Sequence, residues 1–255
     1  MKKMLAIILC CTLLAGCGNG NVFSWAHNPG SGDFASLKSD GDAAMKNNDY
    51  SKAAEYYKAA LEKNPNDADT ALGYATAKFF EAVGSQYGDI INMFLNPGTG
   101  AADTLLGFLD DGTLQKLIDA LYDSIGEPGS ENGPLANAAN QPGASTDLLL
   151  NAALINLLLA IAEALVAAKP YRHYLRINSD YTVEVLGTPT NDEKLVLIAI
   201  LDRLFMRVET SLKWLQNAPI ANLPPGVDQS KVLEEINGYL TLFKAQINEE
   251  KNKLL

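Results

Sequence analysis

FASLKSDGDAAMKNNDYSKAAEYYKAALEKNPND, residues Phe34 to Asp67, holds two amphipathic segments with Asn47-Asn48 between them and Pro65 near the end. That pattern predicts two short helices joined by a tight reversal. Small residues stand where the helices would have to touch: Gly41, Ala53 twelve positions later, and Ala60 seven later again, with Pro65 five beyond that. Proline lacks an amide hydrogen and stops the second helix. The stretch therefore predicts an antiparallel helical hairpin whose partners approach closely because the contact residues are small.

These intervals resemble the tetratricopeptide repeat, a scaffold for binding. The resemblance implies that Gly41 and Ala53 let the two helices approach, that Ala60 admits the next helix, and that Tyr57 fills the wedge between them. Asp67 to Ala82 begins a second repeat, since Ala75 follows Gly41 by thirty-four residues. Its second helix departs from the pattern, because Tyr87 and Phe94 fall where small residues are expected. One clear repeat and a partial one are fewer than the three or so that usually make a stable solenoid, so the rest of the chain is expected to cover the exposed end. The resemblance spans about a quarter of the chain.

A partner surface follows from the same resemblance. Leu37, Gly41 and Ala44 form the ridge packed on the second helix, which leaves Lys38, Asp42 and Met45 on the neighbouring ridge. In the repeat family that ridge lines a concave groove, to which the thirty-four-residue offset adds Leu72, Thr76 and Phe79. Relatives that clamp a terminal carboxylate use Lys and Asn here. This chain has Lys38 but Asp42, so the expected ligand is an apolar or basic helical segment held by Met45, Leu72 and Phe79, with Asp42 at the rim. In the alternative arrangement the groove is filled from within, by the chain's own helix from Leu148 to Ala168 or by the one starting at Asp228.

The first sixteen residues read as an address. Lys2 and Lys3 precede an apolar run, Met4 to Leu14, too short for an easy membrane span, and Leu14-Ala15-Gly16 supplies small residues before Cys17. Leu-Ala-Gly-Cys is similar to a bacterial lipobox, which implies cleavage before Cys17, lipidation of that residue and membrane anchoring. At about 0.8 kcal/mol for each buried methylene, several acyl chains make such an anchor effectively permanent. Gly18, in place of the Asp that retains enteric lipoproteins at the inner membrane, points to the periplasmic face of the outer membrane. Residues 17–33, rich in Gly, Asn and Ser, form a tether. The repeat-like module runs over 34–95 and a helical C-terminal domain over 96–255.

Once the leader is removed, basic residues fall from 20 to 18 against 30 acidic ones, a formal charge of −12. Nucleic acid and anionic head groups are poor partners for that surface. Cys10 and Cys11 leave with the leader and Cys17 carries lipid, so no thiol remains for a disulfide, zinc or nucleophilic attack.

The predicted fold class is all-α. Beyond the repeats, Ala101 to Asp110 and Thr113 to Ile125 read as helices, the second with Leu114, Leu117, Ile118 and Leu121 on one face. Residues 126–146 read as a long loop. Asp147 is expected to cap an apolar helix, Leu148 to Ala168, long enough for a membrane span, but Asn151, Asn156 and Glu163 lie on different sides and favour a buried central helix. The β-branched and aromatic stretches at 174–186 predict a short hairpin. Thr190 and Glu193 form a capping box for a helix to about Gln216 with Leu197, Leu201, Leu204 and Val208 inward. Asp228 starts a last helix.

A search for chemistry returns little. His27 and His173 are the only histidines, and the first lies in the tether, so no two-histidine metal site forms in the globular part. His173 lacks a serine elbow. Asn96-Pro97-Gly98-Thr99-Gly100 lacks the Lys and Ser/Thr of a phosphate loop. The expectation is a non-enzymatic protein without cofactor or metal: a lipid-anchored scaffold or assembly factor that contacts another envelope protein. The alternative is a small-ligand binder resembling the repeat-containing lipoproteins that accompany some solute transporters.

Overall fold

A computed structural model of the chain describes residues 32–86, 112–171, 174–177, 183–185 and 187–218, with separate positions between 234 and 254. The leader, Cys17, most of the tether with His27, the helix expected around Tyr87 and Phe94, the helix expected at 101–110, His173 and the start at Asp228 lie outside the described residues. The described chain is all-α apart from one two-stranded ribbon.

Three aspartates begin the first three helices: α1 (Phe34–Lys46), α2 (Tyr50–Lys63) and α3 (Ala68–Val83). The carboxylates of Asp33, Asp49 and Asp67 accept the amide hydrogens of Ser36, Lys52 and Thr70, donors that a helix start would otherwise leave unmatched. Between α1 and α2 the chain reverses at Asn48, whose φ of 57° is in the left-handed region that asparagine tolerates. Pro65 holds Asn64 extended at φ −139° and ψ 87°, which ends α2.

Helix α4 (Thr113–Ile125) has the predicted bounds, with Leu114, Leu117 and Leu121 buried and Ile118 packed at the edge of the core. The stretch 126–146 is not the featureless loop its composition predicts. It contains α5 (Pro134–Ala139), which buries Leu135, Ala136, Ala138 and Ala139. Six residues are too few for a periodic signal, although Pro134 at the first turn is a common start. The segment returns tightly across the end of α4: the amide of Gly133 donates to the carbonyl of Ile125 at 3.0 Å. A Cβ on Gly133 would lie 2.3 Å from the Ser124 backbone, so only glycine fits.

Helix α6 (Thr146–Ala168) starts two residues earlier than expected. Ser145, not Asp147, is its cap, and Asp147 lies in the first turn, where its charge complements the helix dipole. Most side chains from Leu148 to Ala162 are buried, on every side of the helix. The ribbon pairs β1 (Leu175–Ile177) antiparallel with β2 (Val183–Val185), Leu175 facing Val185. Helix α7 (Asn191–Asn217) opens with the predicted capping box: Thr190 accepts from the Glu193 amide, and the Glu193 carboxylate accepts from the Thr190 amide at 2.8 Å. Leu197, Leu201, Leu204 and Val208 are buried, as predicted.

Packing follows chain order. α1 lies on α2, α2 on α3, α3 on α4, α4 on α6 and α6 on α7. One core runs from α1 to α6 and takes in Trp214 and Leu215 of α7. A smaller one joins Ala160 of α6 to Leu197, Leu201, Leu204 and Val208, and includes Leu254 from the C-terminal helical residues.

Candidate functional site

The tightest packing in the repeat-like module surrounds one ring. Tyr57 is 4% exposed, with α1 on one side and α3 on the other. A Cβ added to Gly41 would come 2.7 Å from the Tyr57 ring, and one added to Gly73 would come 2.8 Å from it. Both glycines are needed for the ring to lie flat between the helices. The Tyr57 hydroxyl donates to the Asp42 carboxylate at 2.7 Å, so the wedge is closed at its polar end. Gly41 and Tyr57 stand out in the spacing; Gly73 does not. The signal for it is a glycine inside a helix, which has a cost that close packing explains.

The expected groove residues divide. Lys38 donates to Asp67 at 3.0 Å and to Asp69 at 3.2 Å, bridging α1 to the start of α3. Burial lowers the Lys38 pKa, but hydrogen bonds and charge from the two aspartates outweigh it, leaving a net rise. Burial likewise pushes Asp67 up, while the Thr70 hydroxyl and amide and the Lys38 ammonium hold it below its usual value. Asp42, expected at a rim facing a ligand, is already the acceptor for Tyr57. Thr76 donates its hydroxyl to the Leu72 carbonyl one turn back, at 2.8 Å. Met45 and Leu72 are half-buried against the core.

Phe79 corrects the expectation of an open apolar surface. It is 4% exposed, packed edge-on against Phe80 at 5.4 Å between ring centroids, and belongs to the main core. Removing an aromatic from water is worth more to the fold than exposure to an intermittent partner. Asp42, Met45, Leu72 and Thr76 remain at least partly accessible.

A buried polar cluster between α6 and α7 escapes the sequence reading. The Arg207 side chain has no exposed surface, and four of its five N–H groups have acceptors. Its Nε and Nη2 donate to the Glu163 carboxylate at 2.7 and 2.8 Å, Nη1 to Asn156 Oδ1 at 3.0 Å, and Nη2 to the Gly126 carbonyl at 2.9 Å. The Asn156 amide donates in turn to the Arg207 carbonyl and to Ser211 Oγ. A guanidinium that is bonded to two helices and has no exposed surface is closed to a ligand and ties α6 to α7. Arg207 falls on the core face of α7, between Leu204 and Ser211, and that position is the missed signal.

On another face, a cleft of about 380 Å³ opens between α2, α3 and the α4–α5 turn. Tyr74 lines it, 5% exposed, and burial with the nearby Asp123 and Glu81 carboxylates pushes its hydroxyl up to about 12. Among the described residues, no group of three or more His, Cys, Asp and Glu side chains comes together to hold a metal. The helical stretch 146–171 is long and apolar enough to cross a membrane by length and composition, while its Asn156 and Glu163 are engaged by α7. No protein-family model, no curated protein and no solved structure matches the chain.

Proposed function

We propose that the chain is a non-enzymatic, lipid-anchored scaffold of a bacterial cell envelope, related to tetratricopeptide-repeat proteins, that holds another envelope protein. The observation that carries this reading is the Tyr57 wedge: an aromatic clamped between Gly41 and Gly73 joins three successive helices into one stacked unit. Such stacks present continuous faces suited to binding a partner. The polar clusters support the same reading, since Lys38 with Asp67 and Arg207 with Glu163 are satisfied within the chain. Anchoring is assigned to Cys17 on the Leu14 to Cys17 motif, with attachment at the periplasmic face of the outer membrane.

The test uses the full-length chain in membranes of its native host. A clickable fatty acid is expected to label the wild type and not Cys17→Ser; equal labelling of both overturns the anchor. Cross-linking followed by pull-down is expected to recover a defined polypeptide partner with the wild type, and less of it with Met45→Glu, a half-buried position on the accessible part of the groove. Failure to recover any reproducible partner overturns the scaffold.

A further inference from the structure

The cleft on α2, α3 and α4 is built differently from the rest of the surface. Three other tyrosine hydroxyls find side-chain partners: Tyr50 donates to Asn48, Tyr57 to Asp42 and Tyr174 to Glu193. Tyr74 is nearly as buried as Tyr57 and more so than Tyr50 or Tyr174, yet its hydroxyl bonds to none of the described residues and is not sealed from solvent. A buried phenol normally secures a hydrogen bond, and one that opens into a cleft awaits it from outside.

The cleft's charges are unmatched in the same way. Glu62 on α2 and Asp123 on α4 border it from opposite helices, and neither forms an ion pair among the described residues. Asp49 pairs with Lys52 and Glu81 with Lys78, so pairing is available to acids of this chain where geometry permits. Lys58 is the one cation on the lining, and it joins neither carboxylate. Two carboxylates against one ammonium leave a negative mouth, which disfavours an anion. Of the remaining lining, Leu61, Pro65 and Pro134 are apolar, and Asn132 and Asn137 are bonded to each other, the Asn137 amide donating to the Asn132 carbonyl at 2.8 Å.

We infer that this cleft is the seat of an arginine side chain carried by a partner polypeptide. The guanidinium is planar and carries five N–H groups in a fixed fork, so with its edge at the Tyr74 hydroxyl it can fan out to Glu62, Asp123 and the phenol oxygen. The arginine stem, which is apolar, lies along Leu61 and the two prolines. A lysine ammonium is a compact point charge and lacks the fork that spans two carboxylates on separate helices and a phenol oxygen together. The volume is at the lower end of the roughly 300–1,000 Å³ usual for ligand pockets, which suits one side chain. The chain's excess of acidic residues, 30 against 20, attracts a basic partner over longer range. The inference rests on the scaffold reading for the existence of a polypeptide partner.

The test titrates N-acetyl-arginine methylamide into the full chain and follows amide shifts of Tyr74, Asp123 and Asn137 by NMR, with N-acetyl-citrulline methylamide as the neutral isostere. Saturable millimolar binding of the arginine probe is expected, at least tenfold weaker with citrulline. Asp123→Asn and Glu62→Gln, both at exposed positions, are expected to weaken binding about tenfold each, and Tyr74→Phe, which keeps the ring, severalfold. Equal binding of both probes, no saturation, or indifference to the three variants overturns the arginine seat. A partner recovered from membranes but unaffected by Asp123→Asn also overturns it while leaving the scaffold standing. Binding of the probe with no recoverable partner overturns the scaffold, and with it the assignment of the arginine to a partner polypeptide.

Discussion

At the scale of single residues, Tyr57 and the two glycines against it decide how closely three helices pack. Two effects oppose each other at Gly41. Alanine favours a helix over glycine by about 1 kcal/mol. A methyl group 2.7 Å from the Tyr57 ring must displace it, and overpacking of this kind costs about 1–3 kcal/mol. Gly41→Ala is therefore expected to destabilise the protein in urea melts. In a Tyr57→Val background, where the ring is gone, the same change is expected to be neutral or stabilising. A loss of equal size in both backgrounds would show that the ring is not what Gly41 accommodates.

At the scale of elements, the register of α6 against α7 depends on a buried ion pair. Removing one partner of such a pair costs about 3–5 kcal/mol because it leaves the other charge buried, whereas replacing both by apolar groups is often close to neutral. Arg207→Leu is expected to lower stability by about that amount, since Glu163 would keep only the longer 3.5 Å contact to Arg203. Glu163→Met combined with Arg207→Leu is expected to regain much of the loss in chemical denaturation. If the double variant is no more stable than Arg207→Leu alone, the damage lies in the lost bonds to Asn156 and Gly126 and not in the stranded carboxylate. The capping box at Thr190, by contrast, is a local device, which is why it was legible from Thr190 and Glu193 alone.

At the scale of the whole molecule, Phe79 belongs to the core and not to the surface proposed for a partner. Phe79→Ala is expected to cost about 3–5 kcal/mol, the usual penalty for deleting a buried aromatic, and to shift the denaturation midpoint accordingly. An unchanged midpoint together with lost partner recovery would return Phe79 to the surface role that its spacing from Met45 implies. The same chain-order stacking that buries Phe79 leaves the Tyr74 cleft on a different face, so the two surfaces are independently open to mutation.

The order of residues by itself determined what is local: the helix starts at Asp67 and Thr190, the reversal at Asn48, the stop before Pro65, the ribbon within 174–186 and the inward face of α7. Each of these depends on residues within a few positions of one another, where sterics and capping act without help from the rest of the chain. Only the tertiary structure decided that Lys38 belongs to Asp67, that Phe79 is core, that Gly73 receives Tyr57, that α5 forms within the long connection, and that Arg207 meets Glu163 and Asn156. An apolar stripe reads the same whether a partner or another helix covers it. A charge reads the same whether solvent or a partner forty-four residues away neutralises it. Burial and long-range pairing are properties of which helices meet, and they exist only once the chain has folded.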